Sequence, residues 1–472
     1  MELYPQRVLS RRMENLVDGP NSLGGGKFKQ YVKDIINAER APIRQIEARK
    51  GKEQEKLKLV QEFIGKVRKL PELYRELDSM RKFRELKADF PAKDLLDVTV
   101  DKDVAIPGEY QLEITQLAGR HSMISDGFEN KDDEIGVGYF SYTLPNGSSK
   151  SVYIGPGSNT LQGVVNAINS QKNLGVTASV VNDGSDSDRP WRVVVAAKKS
   201  GMENDIEFPD FYFLDGDFRF YVDDERSAQN AIIKFNGFEI MSQGNRFELL
   251  PGVSVDLKQA KEDYEFTLQI SEDIPKIAGK VKALVDAINQ VLEFINKQNQ
   301  IDDKTDTSKT LAGDTTLFGI ESRVRTWVFQ AFNVMDPEID DDEELFMRLS
   351  DVGIQFEKTG MLTFKEDKFK KMMEKDYESI AYLFAGQGNF IENLKTLTES
   401  LLQQRGGIIS SRELGIRDRI KRMDEDITSK EANLSRREVA LKRQFSNLES
   451  LMNNMQGQQQ YLAQALGSPS LI

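Results

Sequence analysis

The chain has 472 residues, enough for roughly three or four domains. It is acidic, with 76 Asp and Glu against 64 Lys and Arg, which argues against a nucleic-acid partner. The absence of cysteine excludes disulfides, thiolate metal sites and a Cys nucleophile. The one histidine, His121, lies in the polar context Gly119-Arg120-His121-Ser122. A histidine metal cage or His-based triad therefore lacks its parts, and His121 is expected at the surface or at a strand end. No run approaches the ~18 apolar residues of a membrane span, so none is expected. Met1 to Val17 carry arginines without a continuous apolar core, so a cleavable secretory signal is not expected either. That leaves a cytoplasmic chain, or one exported by a route that reads an unstructured N-terminus.

Residues 1–26 read as a flexible polar opening through Asp18-Gly19-Pro20-Asn21 and Gly24-Gly25-Gly26. A phosphate-loop reading of Gly-Gly-Gly-Lys fails, because Asn21 stands where the first glycine belongs and Phe28 replaces the magnesium-binding hydroxyl. Phe28, Val32, Ile35, Ile36 and Ile43 space as a helix face, broken at Ala41-Pro42, where Pro42 suits the first turn of the next helix. Ile36, Ile43, Leu57 and Ile64 fall on a seven-residue spacing with Lys50 in the slot between, and Pro71 marks a kink or restart.

The periodicity changes to two near residue 95. Tyr110, Leu112 and Ile114 alternate after Pro107-Gly108. Tyr142 and Leu144 turn at Asn146-Gly147 into Val152 and Ile154, and Leu161, Val164, Val165 and Ile168 suit one short helix. Val176, Ala178 and Val180 pair with Trp191, Val193 and Val195 across an acidic loop, Asn182 to Asp188, which lacks EF-hand spacing and reads as a solvated turn. Phe211 and Phe213 are expected to turn at Asp215-Gly216 into Phe218, Phe220 and Val222. Ala231, Ile233 and Phe235 turn at Asn236-Gly237 into Phe238 and Ile240, the strongest hairpin signal, because a type I′ turn needs positive φ at both central residues. Phe247 to Leu257 and Tyr264 to Ile270 continue the pattern.

Helix returns at Asp273-Ile274-Pro275, and a second helix follows Asp314. A hairpin interrupts at Lys358-Thr359-Gly360, and Asp340 to Glu344 read as a solvated acidic loop. After Gly406-Gly407 comes the longest signal. Ile420, Ile427, Leu434, Leu441, Leu448, Met455 and Leu462 stand seven residues apart without a miss, and Ser410 with Glu413 reads as a capping box. A helix in a bundle shows such a stripe locally. Seven consecutive hits favour a coiled-coil seam, because a straight helix drifts ~20° per heptad and needs a partner that wraps it. The two terminal stretches can pair with each other or with those of other copies. Aspartate at Leu434 or Leu441 is expected to disable the seam.

The fold class expected is α+β multidomain. Long terminal helices (1–42 and 430–472) form a coiled-coil leg, 43–94 and 272–429 a helical domain, and two small antiparallel β domains are inserted in it, an inner (95–126 and 226–271) and an outer (127–225). The N-terminal seam is weak, and Gln456, Gln458, Gln459 and Gln460 dilute the C-terminal one, so both ends are expected to order only on assembly. Nothing assembles a catalytic, metal or cofactor constellation. A structural or assembly protein is expected rather than an enzyme, with no cofactor, and an extracellular coiled-coil fibre or adhesion protein as the alternative.

Several short motifs then carry a resemblance. Gly26-Lys27-Phe28-Lys29-Gln30-Tyr31-Val32 through Ala41-Pro42-Ile43, Gly108-Glu109-Tyr110 through Leu117-Ala118, and Ala228-Gln229-Asn230-Ala231 with Asn236-Gly237 and Pro251 to Leu257 come first. Leu311-Ala312-Gly313-Asp314 and Val352-Gly353-Ile354 with Gly360-Met361-Leu362 follow in order. Together they resemble the bacterial flagellar filament-cap family, the hook-associated protein 2 family. Gly24-Gly25-Gly26 departs from the Ser-Gly-Leu-Asp-like segment usual there. The resemblance implies a ring-like homo-oligomer at the distal tip of the flagellum, outside the cell. It implies flagellin as partner, passage through the flagellar export apparatus, and an export chaperone on the C-terminal helix.

Overall fold

A computed structural model describes residues 25–208, 212–213, 221–301, 306–334, 345–403 and 406–466. The expected loop at Asp340 to Glu344, the turn at Asp215-Gly216 and the opening before residue 25 lie outside them. Two compact units emerge. One gathers the described residues of Met1–Glu76, Lys282–Lys368 and Tyr382–Ile472, the other those of Leu77–Val281 and Phe369–Ala381.

The first unit is helical. Helix α1 (Gly25–Glu39) gives way at Arg40 to α2 (Ala41–Val67), which has Pro42 in its first turn, where the missing N–H costs nothing. Gly25 and Gly26 belong to α1 and so are not part of the flexible opening expected over residues 1–26. A short helix, Leu70–Tyr74, restarts the chain at Pro71. Helix α3 (Ile274–Asn299) enters this unit at Lys282. Helix α4 (Thr315–Phe329) is capped by the Asp314 carboxylate, which accepts from the Thr316 amide at 2.8 Å. Helix α5 (Phe390–Leu402) precedes α6, which runs unbroken over Ile408–Leu466. At ~1.5 Å per residue, the 59 residues of α6 span roughly 90 Å.

The core of this unit gathers Val67, Leu70, Ile288, Val291, Ile320, Val324, Leu394 and Leu401 around a water-sized apolar gap. Phe63 stacks against Phe294 at 5.3 Å, and the Tyr74 hydroxyl meets the Thr398 hydroxyl at 3.2 Å inside it. Ser410 and Glu413 do not form the expected capping box. The helix starts two residues before Ser410, so Ser410 Oγ donates to the Leu402 carbonyl at 3.2 Å, while Glu413 accepts from Gln61 and Arg417.

The second unit is mainly antiparallel β and holds two cores. Its strands are β1 (Leu86–Asp89), β2 (Leu96–Val100), β3 (Gly108–Gln116), β4 (Arg120–Ser125), β5 (Gly138–Thr143), β6 (Ser149–Ile154), β7 (Val176–Asn182) and β8 (Trp191–Ser200). After them come β9 (Tyr212–Phe213), β10 (Val222–Arg226), β11 (Ala231–Phe235), β12 (Phe238–Ser242), β13 (Arg246–Leu250), β14 (Val253–Leu257) and β15 (Glu265–Glu272). The inner core lies between the sheets β1-β15-β3-β11-β12 and β13-β14-β2, and centres on Leu96, Leu112, Ile114, Ile233 and Leu268. Asn236 and Gly237 take φ of 48° and 81°, the two positive values the type I′ turn between β11 and β12 requires. Extended pairing begins at Leu86 rather than near residue 95, because β1 offers only four residues, too few to show alternation.

The outer core packs β10-β4-β8-β7, β6-β5-β9 and the helix Leu161–Ser170 around Phe140, Tyr142, Val164 and Val193. Phe213 and Val222 do not flank one hairpin. β9 pairs with β5 while β10 pairs with β4, in different sheets. His121 is not at the surface either; it is 3% exposed, near the start of β4.

One buried charge anchors the base of β1. The Glu85 carboxylate accepts from Lys276 at 2.8 Å, Lys280 at 2.5 Å and Lys102 at 3.2 Å. Burial alone pushes this group up, but the three ammonium hydrogen bonds overcome it and hold it at about 2. A depressed folded-state carboxylate stabilises above its unfolded value near 4.5 and loses that contribution as pH falls through about 2. Glu85→Gln is therefore expected to lower stability at neutral pH by about 2–3 kcal/mol and to flatten the acid limb between those pH values, measured by urea unfolding across pH.

Candidate functional site: a paired helical leg with a bare end

Among the described residues no group of His, Cys, Asp and Glu is placed to hold a metal ion, and no helix is long and apolar enough to cross a membrane. The largest unusual feature is the pairing of α6 with α1 and α2. Cross-helix bonds run in opposite residue order along the two elements. Arg437 meets Glu39 at 3.5 Å, Arg40 meets Glu431 at 3.3 Å and Lys50 meets Asp424. Arg419 places both Nε and Nη2 on Glu53, the latter at 2.8 Å, and Gln61 donates to Glu413 at 3.1 Å. The ends of the chain are thus antiparallel partners within one subunit. Lys50, which occupied an apolar slot of the N-terminal heptads, is the basic half of a rung.

The seam residues divide into three groups. Ile43 (2% exposed), Ile64 (4%) and Leu441 (6%) are buried, with Val32 buried on α1 as well. Ile36, Leu57, Ile420, Ile427 and Leu434 are half-buried. Leu448, Met455 and Leu462 are 48%, 61% and 56% exposed, and Leu451, Met452 and Tyr461 are exposed beside them. With Glu39 opposite Arg437, the described residues of α1 reach about as far along α6 as Leu448, and nothing among the described residues covers the heptads beyond.

Sequence reasoning missed Val60, Phe63 and Val67, whose spacing of three, four and seven marks a second face of α2 turned into the helical core. It also missed the ionic rungs, which join residues more than 350 positions apart and leave no local mark except Lys50 in the wrong slot. Arg412 closes the root of α6 by pairing with the Asp314 carboxylate at the start of α4.

An exposed heptad stripe continuous with a paired one, on a chain with two β cores, is the kind of surface an assembly protein presents. The comparisons with known proteins give that class its family. Residues 25–121 match the N-terminal and residues 228–457 the C-terminal model of flagellar hook-associated protein 2. The chain belongs to the flagellar hook-associated protein 2 family, the filament-cap proteins of bacterial flagella. The A-type flagellar hook-associated protein 2 of Pseudomonas aeruginosa is 25% identical over 97% of this chain and 98% of its own length. Flagellar hook-associated protein 2 of Xenorhabdus nematophila is 24% identical over 85% of this chain and 89% of its own. The crystal structure of the D1-D2-D3 domains of the Escherichia coli cap protein FliD superposes with a TM-score of 0.54 at 20% identity, covering 76% of this chain and 99% of that one, a likeness of fold.

The three groups of seam residue predict different mutational costs. Leu441→Ala is expected to destabilise the subunit by about 2–3 kcal/mol. Met455→Ala is expected to change stability by less than about 0.5 kcal/mol. Chemical denaturation of the isolated subunit compares them directly.

Proposed function

We propose that this cap protein plants its helical leg in the growing end of the flagellar filament and seals the bare heptads of α6 against other subunits there. The observation that carries this reading is the exposed run Leu448, Leu451, Met452, Met455 and Leu462 on the same helix as buried Leu441. Burying such side chains is worth about 1.5–3 kcal/mol each, enough to make assembly favourable once several are covered. The partners that fit are flagellin and neighbouring copies, the latter giving a ring-like homo-oligomer at the distal, extracellular tip. The β unit would spread as a plate that retains exported flagellin and promotes its ordered polymerisation. Passage through the flagellar export apparatus, with an export chaperone shielding the same bare stripe before secretion, belongs to this reading. So does the ordering of both chain ends only on assembly.

Two experiments test it. The double variant Met455→Asp, Leu462→Asp is expected to fold with unchanged subunit stability and to lose capping, with flagellin leaking into the medium. Capped filaments of normal length from that variant would sink the reading. Lys442→Ala, on an exposed pair with Glu438, is expected to be tolerated. Imaging the filament with a labelled antibody is expected to place the protein at the tip.

The nested domain arrangement is part of the proposal. The excision points shift from 127 and 225 to Gly119 and Gln229, because β4 and β10 carry Met123 and Val222 into the outer core. Gly119 and Gln229 exchange backbone hydrogen bonds of 2.9 and 3.2 Å, so a short linker spans them. Removing residues 120–228 is expected to leave a soluble remainder that still oligomerises, read by light scattering. Only insoluble protein would overturn the nesting.

A further inference from the structure

His121 is the single histidine of the chain, buried, and it plays no part in the leg. Its Nδ1 lies 2.5 Å from Asp205 Oδ1 and its Nε2 lies 2.6 Å from Glu225 Oε1. Carboxylate oxygens accept only, so both contacts exist together only when both ring nitrogens carry protons. A third group competes. The Ile206 amide points at Nδ1 from 3.2 Å, and it can donate there only when Nδ1 has lost its proton. The pocket therefore contains a partner for each state of Nδ1, Asp205 for N–H and the Ile206 amide for the bare nitrogen. When Nδ1 is bare, Asp205 Oδ1 still accepts from the Ala228 amide, so the released carboxylate keeps a donor.

The position gives this exchange a consequence. His121 starts the strand by which the chain enters the outer core, and Glu225 ends the strand by which it leaves. Asp205 Oδ1 also accepts from the Ala228 amide at 2.7 Å, beside the Gly119–Gln229 bridge. The ring thus ties the entering strand to the turn after β8 and to the returning segment. Phe208 packs edge-on against it at 5.0 Å. The charged groups that meet the ring are the two carboxylates, both half-exposed. Of the other charged residues on the elements around it, Arg120, Lys198, Lys199, Glu203, Glu207, Asp224 and Arg226 are exposed, while half-buried Arg192 is paired with Asp183 and Asp223.

We propose that His121 is a proton-operated latch at the root of the outer β core. With both nitrogens protonated it joins Asp205 to Glu225; on losing the Nδ1 proton to solvent it keeps Glu225, accepts from Ile206 and releases Asp205. Acidification closes the root with a charge-assisted tie to Asp205, and alkaline conditions replace it with the weaker bond from the Ile206 amide.

Because the chain has one histidine, ¹⁵N-histidine labelling of the full-length protein gives a single imidazole to follow between about pH 5 and about pH 9, the range that brackets histidine titration. Two protonated ring nitrogens are expected in acid and the Nε2–H tautomer alone in alkali. Corrected for intrinsic exchange, amides of residues 119–122 and 205 are expected to exchange about ten-fold faster in the alkaline state, the equivalent of one pH unit of coupling, while the Ile206 amide, then donating to Nδ1, gains protection. His121→Gln is expected to abolish this step, and Asp205→Asn to move loss of the Nδ1 proton to lower pH. A ring that keeps one protonation state throughout, an Nδ1–H tautomer in alkali, or a change of state that leaves exchange at the root unchanged would each overturn the latch. Should His121→Gln fail to fold, the wild-type titration and Asp205→Asn decide it.

Discussion

The antiparallel pairing of the two ends of the chain is the constraint on which the helical unit depends. Closing Ala41–Val67 against Ile408–Leu466 fixes a loop of several hundred residues, and the entropic cost of such closure grows only as the logarithm of its length. A chain that has accepted this closure can carry a large insertion at small further cost, provided the insertion folds on its own cores. The two β cores meet that condition, each with fully buried aromatic or aliphatic centres. The helical unit meets it from the other side, since Phe63, Phe294, Trp327 and Phe390 are gathered from three separate stretches of sequence.

Charge plays different parts in the two units. Along the leg, the rungs are partly exposed pairs such as Arg40 with Glu431, each worth about 0.2–1 kcal/mol and weakened by salt. Their value lies in register. A seven-residue stripe repeats itself and tolerates a slip by one heptad, whereas Arg419 forked on Glu53 does not. Glu85 is the opposite case, a buried carboxylate whose desolvation is offset by three ammonium groups. Apolar surface drives the pairing of the leg, and polar groups choose how it pairs.

Most of the secondary structure was legible from period and punctuation. The strands around Asn146-Gly147 and Asn236-Gly237, the helix after Asp314 and the restart at Pro71 follow from local chemistry that acts within a few residues. What failed was non-local or ambiguous at short range. Ser410 and Glu413 have capping-box spacing, but Gly406-Gly407 let the helix begin earlier, and the true neighbour of Glu413 is Gln61. His121 was expected at the surface or at a strand end; it does stand near a strand end, but alternation in β4 turns it inward to the same side as Met123. The heptad stripe itself was plain, but a stripe reads the same whether its partner comes from the same chain or another. The contact between Glu39 and Arg437 shows that up to that point the partner comes from the same chain.

The two strands of the leg also differ as mechanical elements. Helix α6 contains no proline and carries its hydrogen bonds from Ile408 to Leu466 without interruption, so it behaves as a single rod. Its partner is jointed. Helix α1 ends at Glu39 and α2 starts at Ala41, and the break at Arg40 is bridged by the Arg44 guanidinium donating to the Asn37 carbonyl at 2.5 Å. A rod bonded to a hinged strut bends where the strut is hinged. Transverse load applied at the far end of α6 therefore concentrates its curvature beside residue 40, between the Glu39 and Arg40 rungs, while axial load passes straight along the rod to its root at Arg412 and Asp314.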